Sequence, residues 1–390
     1  MPTRRALLKT AALVGCSAAA HPLLSTMTFA SAPGENRLVV IVLRGAMDGL
    51  DVVQPHSDPA LRVLRPALSA GPEGGALDLD GFFALHPALD GLMPLWRAGE
   101  LAFAHAVATP YRDKRSHFDG QDLLEAGTGN DLPIDQQKGG WLNRLLQAMP
   151  GATAETAYSV GTEEMLILSG PARALSWAPE AALTLSPQAR LLLAEAYHDD
   201  PLFRDAARAA EEIGASLTGE TGKGPKGDAA RLAAFAADRL NGGTRIASFS
   251  LSGWDSHARQ EQVLKRPLGD LATAILTLRE GLSANWGRTT VLAMTEFGRT
   301  ARENGSGGTD HGTGGALLMA GGAVRGGRVY GDWPGLGEGQ LYQDRDLLPT
   351  RDVRAYAGWA MRGLFGTGAG LIERAIFPGL DLGPDPRILA

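Results

Sequence analysis

Residues 291–324 constrain the fold more than any other stretch, because two apolar runs there enclose a group of charged side chains. The first run, residues 291–294, has the length of a buried strand, and a glycine-rich loop separates it from the second run. The charged residues between the runs are Glu296, Arg299, Asp310 and His311. Ligands bind where loops leave the carboxyl ends of strands in open α/β sheets, so this pattern predicts a functional site. The alternative is a surface ion pair between Glu296 and Arg299, beside glycines that only turn the chain.

Two other apolar runs also end in charged residues. Residues 37–43 form a continuous β-branched run, typical of a central parallel strand covered on both faces, and Asp48 follows it. Residues 244–251 form a second run, which Asp255 and His257 follow. Apolar residues at helical spacing lie between that run and residues 291–294, and the order strand, helix, strand predicts a mostly parallel sheet in an α/β protein.

The side chains that follow these strands are expected to converge, since the carboxyl ends of parallel strands lie along one edge of a sheet. Imidazoles and carboxylates together suit Zn²⁺ best, and Mn²⁺, Mg²⁺ or Ca²⁺ where oxygen ligands dominate. The predicted metal ligands are Asp48, His117, Asp255, His257, Glu296, Asp310 and His311. Asp255 and His257 can instead cap the following helix, and for His117 a structural role is as well supported. His105, inside an apolar run, is expected to be a core histidine.

Ser116 and Arg299 are the predicted catalytic residues. Ser116 stands where a helix begins and is a plausible N-cap. A helix N-terminus also favours an alkoxide and a bound phosphate or sulfate, so Ser116 is a candidate nucleophile as well. Arg299 is suited to bind an anionic oxygen, and an ion pair with Glu296 or Asp310 is an equal alternative.

The first 32 residues are interpreted as an export signal. Arg4 and Arg5 form a twin-arginine pattern, a small-residue apolar run follows, and residues 30–32 form an A-x-A cleavage site. This predicts export by the twin-arginine machinery to the periplasm or the extracellular space. Lipid anchoring at Cys16 is the alternative, because residues 13–16 fit a lipoprotein cleavage box. No later stretch approaches the roughly 18 to 20 apolar residues of a spanning helix.

Composition argues against a nucleic-acid partner. The whole chain has 37 basic and 43 acidic residues, and the signal contributes Arg4, Arg5 and Lys9 without an acid. The remainder is therefore more acidic than the whole, and it has no basic stripe with interleaved aromatics. With 44% apolar residues, residues 33–390 are expected to form a single domain with a helical insertion at about 186–240. The sequence leaves the oligomeric state open.

Several motifs together resemble the secreted family called domain of unknown function 1501. They are Arg44-Gly45-Ala46-Met47-Asp48-Gly49-Leu50, Arg115-Ser116-His117-Phe118-Asp119, Gly253-Trp254-Asp255-Ser256-His257, Thr295-Glu296-Phe297-Gly298-Arg299-Thr300 and Gly308-Thr309-Asp310-His311-Gly312. The resemblance covers nearly the whole chain after the signal. It implies a three-layer α/β/α fold similar to the alkaline phosphatase and sulfatase superfamily, without an established reaction.

The superfamily pattern implies a nucleophile at Ser116 and metal ligands at Asp48, Asp255, His257 and His311. One block departs from the pattern, because Glu296 and Phe297 stand where the superfamily has aspartate and histidine. Phenylalanine cannot bind a metal. The site is therefore expected to hold one ion, or a second ion through Asp48, Glu296 and either Asp310 or His117.

Two functional hypotheses follow. The first is an exported metal-dependent hydrolase of a phosphate or sulfate ester, with a small-molecule or polymer substrate. Its predicted roles are attack by Ser116, one metal on Asp255, His257 and His311, a second ion or nucleophile orientation by Asp48 and Glu296, and oxyanion stabilisation by Arg299. The second hypothesis is a secreted binding or scaffold protein that keeps the fold without the chemistry, and the Glu296-Phe297 departure motivates it.

Overall fold

The computed structural model describes residues 34–68, 71–112, 114–129, 139–161, 165–178 and 227–390. The export signal, Cys16 and residues 186–226 of the expected insertion lie outside these ranges. Predictions about those segments therefore remain predictions.

Twelve strands occur in the described ranges. In chain order they are β1 (Arg37–Arg44), β2 (Val53–Gln54), β3 (Leu77–Asp78), β4 (Ala84–Leu85), β5 (Leu101–Ala108), β6 (Ala157–Val160), β7 (Leu175–Trp177), β8 (Ile246–Ser252), β9 (Thr289–Thr295), β10 (Gly315–Ala320), β11 (Arg328–Tyr330) and β12 (Arg351–Asp352). The main sheet has the order β11-β5-β10-β9-β1-β8-β6-β7, with β12 also paired to β5, and β2, β4 and β3 form a small second sheet. Within the described main sheet only β10 is antiparallel to its neighbours.

The described α-helices are α1 (Gly49–Val52), α2 (Pro59–Leu64), α3 (Met93–Arg97), α4 (His117–Ala126), α5 (Trp141–Ala148), α6 (Asp228–Asn241), α7 (Gln260–Val263), α8 (Lys265–Leu282), α9 (Val353–Phe365) and α10 (Ala369–Leu371). Short 3₁₀ helices span Pro72–Gly74, Pro87–Leu92, Ala154–Thr156, Leu166–Leu168 and Ser283–Arg288, and a π-helical turn spans Ile372–Ile376. Among the described helices, none combines the length and the apolar character needed to cross a membrane.

Strand β1 lies at the centre of the sheet, between β8 and β9 and parallel to both. Successive side chains of a strand point to opposite faces, so β1 contributes to two apolar layers. Val39, Ile41 and Leu43 belong to one layer. Leu38, Val40 and Val42 belong to the other. Burial on both faces explains why the run is continuously apolar rather than alternating.

Helices cover both of these faces. On the first face, α6 and α8 contribute Phe235, Leu240, Leu271 and Ile275 to the apolar layer. On the second face, α5 and α9 contribute Trp141, Leu145, Tyr356 and Met361. The predicted three-layer α/β/α arrangement with a mostly parallel central sheet is thus confirmed. Helix α6, which begins just beyond the undescribed part of the expected insertion, is part of the first layer.

Gly298 lets the first part of the loop between β9 and β10 lie against the last part of the same loop. A Cβ atom at Gly298 would lie 1.8 Å from the carbonyl oxygen of Gly314 and 2.4 Å from its carbonyl carbon. Both of these neighbours are backbone atoms, and they cannot move away from an added methyl group by a side-chain rotation. This contact holds Arg299 and His311, which belong to those two parts of the loop, in adjacent positions, and the two residues form an isolated antiparallel bridge.

We expect Gly298→Ala to destabilise the fold by at least about 2 kcal/mol, because the added methyl group would displace backbone. Gly305→Ala is the matched control, since nothing lies within 4 Å of the Cβ position there. It should change the free energy of unfolding by less than about 1 kcal/mol. Urea unfolding of both variants measures the difference, and equal stability of the two would contradict the close approach.

Candidate metal centre

Three loops meet at one end of the sheet and carry the predicted site residues. They follow β1, β8 and β9, the last of them leading into β10, and the start of helix α4 lies against them. Because β1, β8 and β9 are adjacent and parallel, their carboxyl ends share one edge. The loops therefore converge at this edge, as the sequence predicts.

Three histidines surround one carboxylate oxygen at this edge. The Oδ1 atom of Asp255 lies 3.1 Å from Nε2 of His257, 3.4 Å from Nε2 of His117 and 3.4 Å from Nε2 of His311. The Nε2 atoms of His257 and His311 are 2.9 Å apart. We call these four residues the histidine cluster. The potential ligand atoms of His117, Asp255 and His311 all lie within 4.8 Å of one another.

Each histidine ring of the cluster has an acceptor at its other nitrogen. These contacts are His117 Nδ1 to Glu296 Oε1 at 2.8 Å, His257 Nδ1 to Asp310 Oδ1 at 3.3 Å, and His311 Nδ1 to the Arg115 carbonyl at 2.8 Å. An acceptor at Nδ1 fixes the proton on that nitrogen, which directs the Nε2 lone pair into the cluster. Metal-binding histidines commonly have this arrangement, with a carboxylate or carbonyl behind the ring.

The donor set fits a cation. Three lone pairs and a carboxylate converge, and they repel one another unless a proton or a metal ion lies among them. The Nε2 atom of His117 is buried and has no hydrogen-bond partner in the described part of the chain. Two ligands of a tetrahedral zinc ion, each about 2.0 to 2.1 Å from it, are separated by about 3.3 Å. The distances from Asp255 Oδ1 to the three Nε2 atoms, 3.1 to 3.4 Å, are close to this value.

Charges around the cluster shift several pKa values. The hydrogen bond to Glu296 raises the pKa of His117. Burial lowers the pKa of His311, which favours the neutral ring that binds metals. Burial opposes ionisation of Asp255, but the hydrogen bond and charge of Arg299 outweigh it, so the pKa of Asp255 lies below its usual value.

Glu296 lies behind His117 and is fully buried. Its Oε1 accepts hydrogen bonds from His117 Nδ1 and from the backbone N–H groups of Gly45 and Ala46 at 2.9 and 3.0 Å. The ring of Phe297, the residue that departs from the superfamily pattern, stacks on His117 at a centroid distance of 5.2 Å. These two residues orient a histidine ring from two sides.

The side chain of Arg299 is buried, and its donors are directed at protein acceptors. Backbone carbonyls of Gly45, Ala46, Trp254 and Thr309 accept from it at 2.8 to 3.2 Å. Its Nη2 also donates to Asp255 Oδ1 at 2.6 Å. The interpretation as a surface ion pair with Glu296 is wrong, because Glu296 and Arg299 are buried and the partner of Arg299 is Asp255.

Ser116 is the N-cap of α4, and its side chain accepts from the backbone N–H of Asp119 at 3.4 Å. The predicted capping role is confirmed. Its own N–H donates to the Tyr111 hydroxyl at 2.8 Å. The cap places the Ser116 hydroxyl one residue before His117, a member of the histidine cluster.

Asp48 belongs to a second, buried polar group. Its Oδ2 accepts from Nη1 of Arg65 and from Nε2 of Gln260, both at 2.7 Å, and its Oδ1 accepts from the Leu50 N–H at 3.2 Å. Gln260 also donates to Asp51 at 2.8 Å, and burial together with the nearby Asp48 raises the pKa of Asp51 to about 7. Asp48 therefore accepts hydrogen bonds from protein donors, and none of these donors belongs to the histidine cluster.

Sequence reasoning missed Arg65, Gln260 and the Arg115 carbonyl. A salt bridge to Arg65 has no periodic signal in the sequence, since the partners are 17 positions apart. The only sign in the sequence of a role for Arg115 is its position before Ser116. In the structure its backbone is left-handed, with a φ of 55°. The core role predicted for His105 is confirmed, since Nε2 contacts the Val53 carbonyl at 2.9 Å inside the fold.

The fold and the histidine cluster define an α/β protein with a candidate metal centre at the carboxyl edge of its sheet. The chain belongs to the family described as Protein of unknown function (DUF1501), which matches residues 103–367. That range contains every member of the histidine cluster. A search of the curated proteins finds no match.

Solved structures of low sequence identity resemble the chain. A protein of the alkaline phosphatase superfamily from Vibrio parahaemolyticus is 13% identical, with 88% of this chain and 70% of that chain covered and a TM-score of 0.40. The lipoteichoic acid synthase LtaP from Listeria monocytogenes is 10% identical, with coverages of 92% and 78% and a TM-score of 0.40. The PsFucS1 sulfatase from Pseudoalteromonas sp. is 14% identical, with coverages of 92% and 72% and a TM-score of 0.39. Likeness at this level assigns neither an activity nor a residue role.

Asp48→Asn should destabilise the protein by about 3 to 5 kcal/mol while the metal content is retained. The neutral side chain would leave the buried guanidinium of Arg65 without its counter-charge. Asp270→Asn is the control, because Asp270 and Arg266 form an exposed pair at 3.7 Å that should contribute less than about 1 kcal/mol. Chemical unfolding and elemental analysis are the measurements, and loss of metal from Asp48→Asn without loss of stability would restore Asp48 as a ligand.

Proposed function

We propose that the chain is an exported metal-dependent hydrolase of a phosphate or sulfate ester. The observation that carries the proposal is the convergence of three Nε2 atoms on Asp255 Oδ1, each ring fixed by an acceptor behind it. In this proposal the ligands are His117, Asp255, His257 and His311. Glu296 and Asp310 act behind the rings as positioning residues, and Asp48 is left out of the ligand set. Export follows from the twin-arginine pattern and is part of the proposal.

The donor set favours zinc over magnesium or calcium. Three imidazoles and one carboxylate make a nitrogen-rich site, whereas Mg²⁺ and Ca²⁺ prefer oxygen ligands. Manganese is the second choice, since imidazole and carboxylate both suit it. When bound, the ion supplies a Lewis acid that polarises an ester oxygen.

The chain's own residues define the remaining roles. The Ser116 hydroxyl is next to His117 and at the N-terminus of α4, where the helix dipole favours developing negative charge. It is the proposed nucleophile, and a water molecule is the alternative. Arg299 is proposed to hold Asp255 and the surrounding loops in place, since its donors already have protein acceptors. A developing oxyanion therefore needs other donors.

A non-catalytic binding or scaffold protein is the second candidate function. One observation favours it: the described partners of the Ser116 side chain are the Asp119 N–H and the Tyr111 hydroxyl, and neither is a histidine or a carboxylate that could act as a general base. A serine nucleophile normally needs an adjacent base or a lowered pKa. Metal binding and catalysis are therefore tested separately.

Purified protein is expected to contain one zinc equivalent, which His311→Ala should lose. His56→Ala is the matched control, because His56 pairs with Asp78 at 3.4 Å and is outside the cluster. Since a metal that binds only the folded state stabilises it, free zinc at 100 times its Kd should add about 2.7 kcal/mol to the wild-type stability. Elemental analysis and thermal unfolding with and without chelator measure both effects. A folded wild-type protein that neither retains nor responds to zinc or manganese would overturn the metal centre.

Substitutions of Ser116 separate catalysis from capping. Asparagine caps a helix as well as serine does, so Ser116→Asn should keep the stability of α4, whereas Ser116→Ala should cost about 1 kcal/mol. If the hydroxyl attacks, both variants should lose at least about 1,000-fold in kcat on phosphate or sulfate esters. Full activity of both variants, abolished by chelator, would exclude the serine and leave a water nucleophile. Absence of any esterase activity in zinc-loaded wild type would favour the binding protein.

A further inference from the structure

We propose that Arg115 and Arg345 bind the anionic group of the substrate beside the histidine cluster. The inference rests on the proposed function, because it names donors for the phosphate or sulfate group that the metal centre would act on. Binding of an anionic oxygen, which the sequence analysis predicted for Arg299, is assigned to these two arginines instead.

Both arginines share one buried carboxylate. Arg345 Nη1 lies 2.9 Å from Asp346 Oδ1, and Arg115 Nη2 lies 3.7 Å from Asp346 Oδ2. The Thr313 hydroxyl donates to Asp346 Oδ2 at 2.8 Å and fixes the carboxylate. Asp346 is fully buried, so it serves as an anchor. Two guanidinium groups facing one carboxylate leave a surplus of one positive charge.

Both residues contact His311, a member of the cluster, Arg345 through its side chain and Arg115 through its backbone carbonyl. Arg345 Nη1 donates to the His311 carbonyl at 2.9 Å, and the Arg115 carbonyl accepts from His311 Nδ1 at 2.8 Å. The Arg115 and Arg345 side chains are 34% and 35% exposed, whereas that of Arg299 is fully buried. Both guanidinium groups are therefore open to solvent in residues that contact His311, whereas that of Arg299 is not.

Guanidinium groups are suited to this ligand. Their planar donors match two oxygens of a phosphate or sulfate group, and the bonds are strengthened by charge. Arg345 uses Nη1 in both of its described contacts, which leaves Nε and Nη2 for a ligand in the described part of the chain. Because Asp346 holds both side chains beforehand, little side-chain entropy is lost on binding.

The backbone at Arg115 supports a functional role. Arg115 has a φ of 55°, a conformation that is uncommon for residues other than glycine. Such conformations persist where surrounding contacts impose them, and they cluster at functional sites. Here the Arg115 carbonyl binds His311, and the next N–H donates to Tyr111. With this left-handed conformation, Arg115 contacts His311 of the cluster through its backbone carbonyl and Asp346 through its side chain.

The test is titration of zinc-loaded full-length protein with inorganic phosphate by isothermal calorimetry, with zinc affinity measured in parallel. Arg115→Gln and Arg345→Gln should each weaken phosphate binding by about tenfold or more, because a charge-assisted bond is lost, while zinc affinity stays unchanged. Arg345→Lys keeps a charge near Asp346 and guards against misfolding of the glutamine variant, yet it lacks the planar fork and should also bind phosphate more weakly. Arg266→Gln is the control for net charge, since that arginine is 90% exposed on α8.

The outcomes separate this inference from the proposed function. Normal zinc binding with unchanged phosphate affinity in Arg115→Gln and in both Arg345 variants would overturn the arginine pair alone. An equal loss of phosphate affinity in Arg266→Gln would also overturn it, because the effect would then follow net charge. A wild-type protein that binds no zinc would overturn the metal centre and this inference with it.

Discussion

The buried guanidinium of Arg299 is the interaction on which the site depends. It follows β9 in the chain, and it binds carbonyls in the loop after β1, in the loop after β8 and in the last part of its own loop, before β10. Carbonyl groups that point into one small volume repel one another unless a donor lies between them. The fixed fork of guanidinium donors satisfies these carbonyls. Its contact with Asp255 extends this frame to the histidine cluster.

Much of this architecture could be predicted from the sequence. Apolar runs identified β1, β8 and β9, and the run of β1 is continuous because strands buried on both faces tolerate few polar residues. The convergence of Asp255, His257 and His311 also followed, since parallel strands place their carboxyl ends at one edge. His117 was left equally balanced between two roles, because it belongs to a helix start after β5, and only tertiary structure brings that helix to the edge.

What the sequence could not resolve is which acidic group faces the cluster and which supports it. Glu296 and Asp255 both follow strands, yet Glu296 points back at backbone N–H groups and the outer nitrogen of His117. This difference depends on loop geometry, which a residue pattern does not specify. Phe297 illustrates the same limit. It was interpreted as a lost ligand, whereas its ring stacks on His117 and stabilises the orientation of that ring.

The charges of the site suit the proposed divalent ion better than a single proton. Three carboxylates, those of Asp255, Glu296 and Asp310, contact the histidine rings, and Arg299 neutralises one of them. The remaining formal charge of −2 is balanced by a divalent cation, while one proton would leave half of it uncompensated in partly buried surroundings. With that ion bound, the group formed by the cluster, Glu296, Asp310 and Arg299 would be neutral, and the surplus positive charge of the neighbouring arginine pair would attract an anion. Metal binding and anion binding would then be coupled, since the uncompensated carboxylates of the metal-free site repel the same anion that the loaded site accepts.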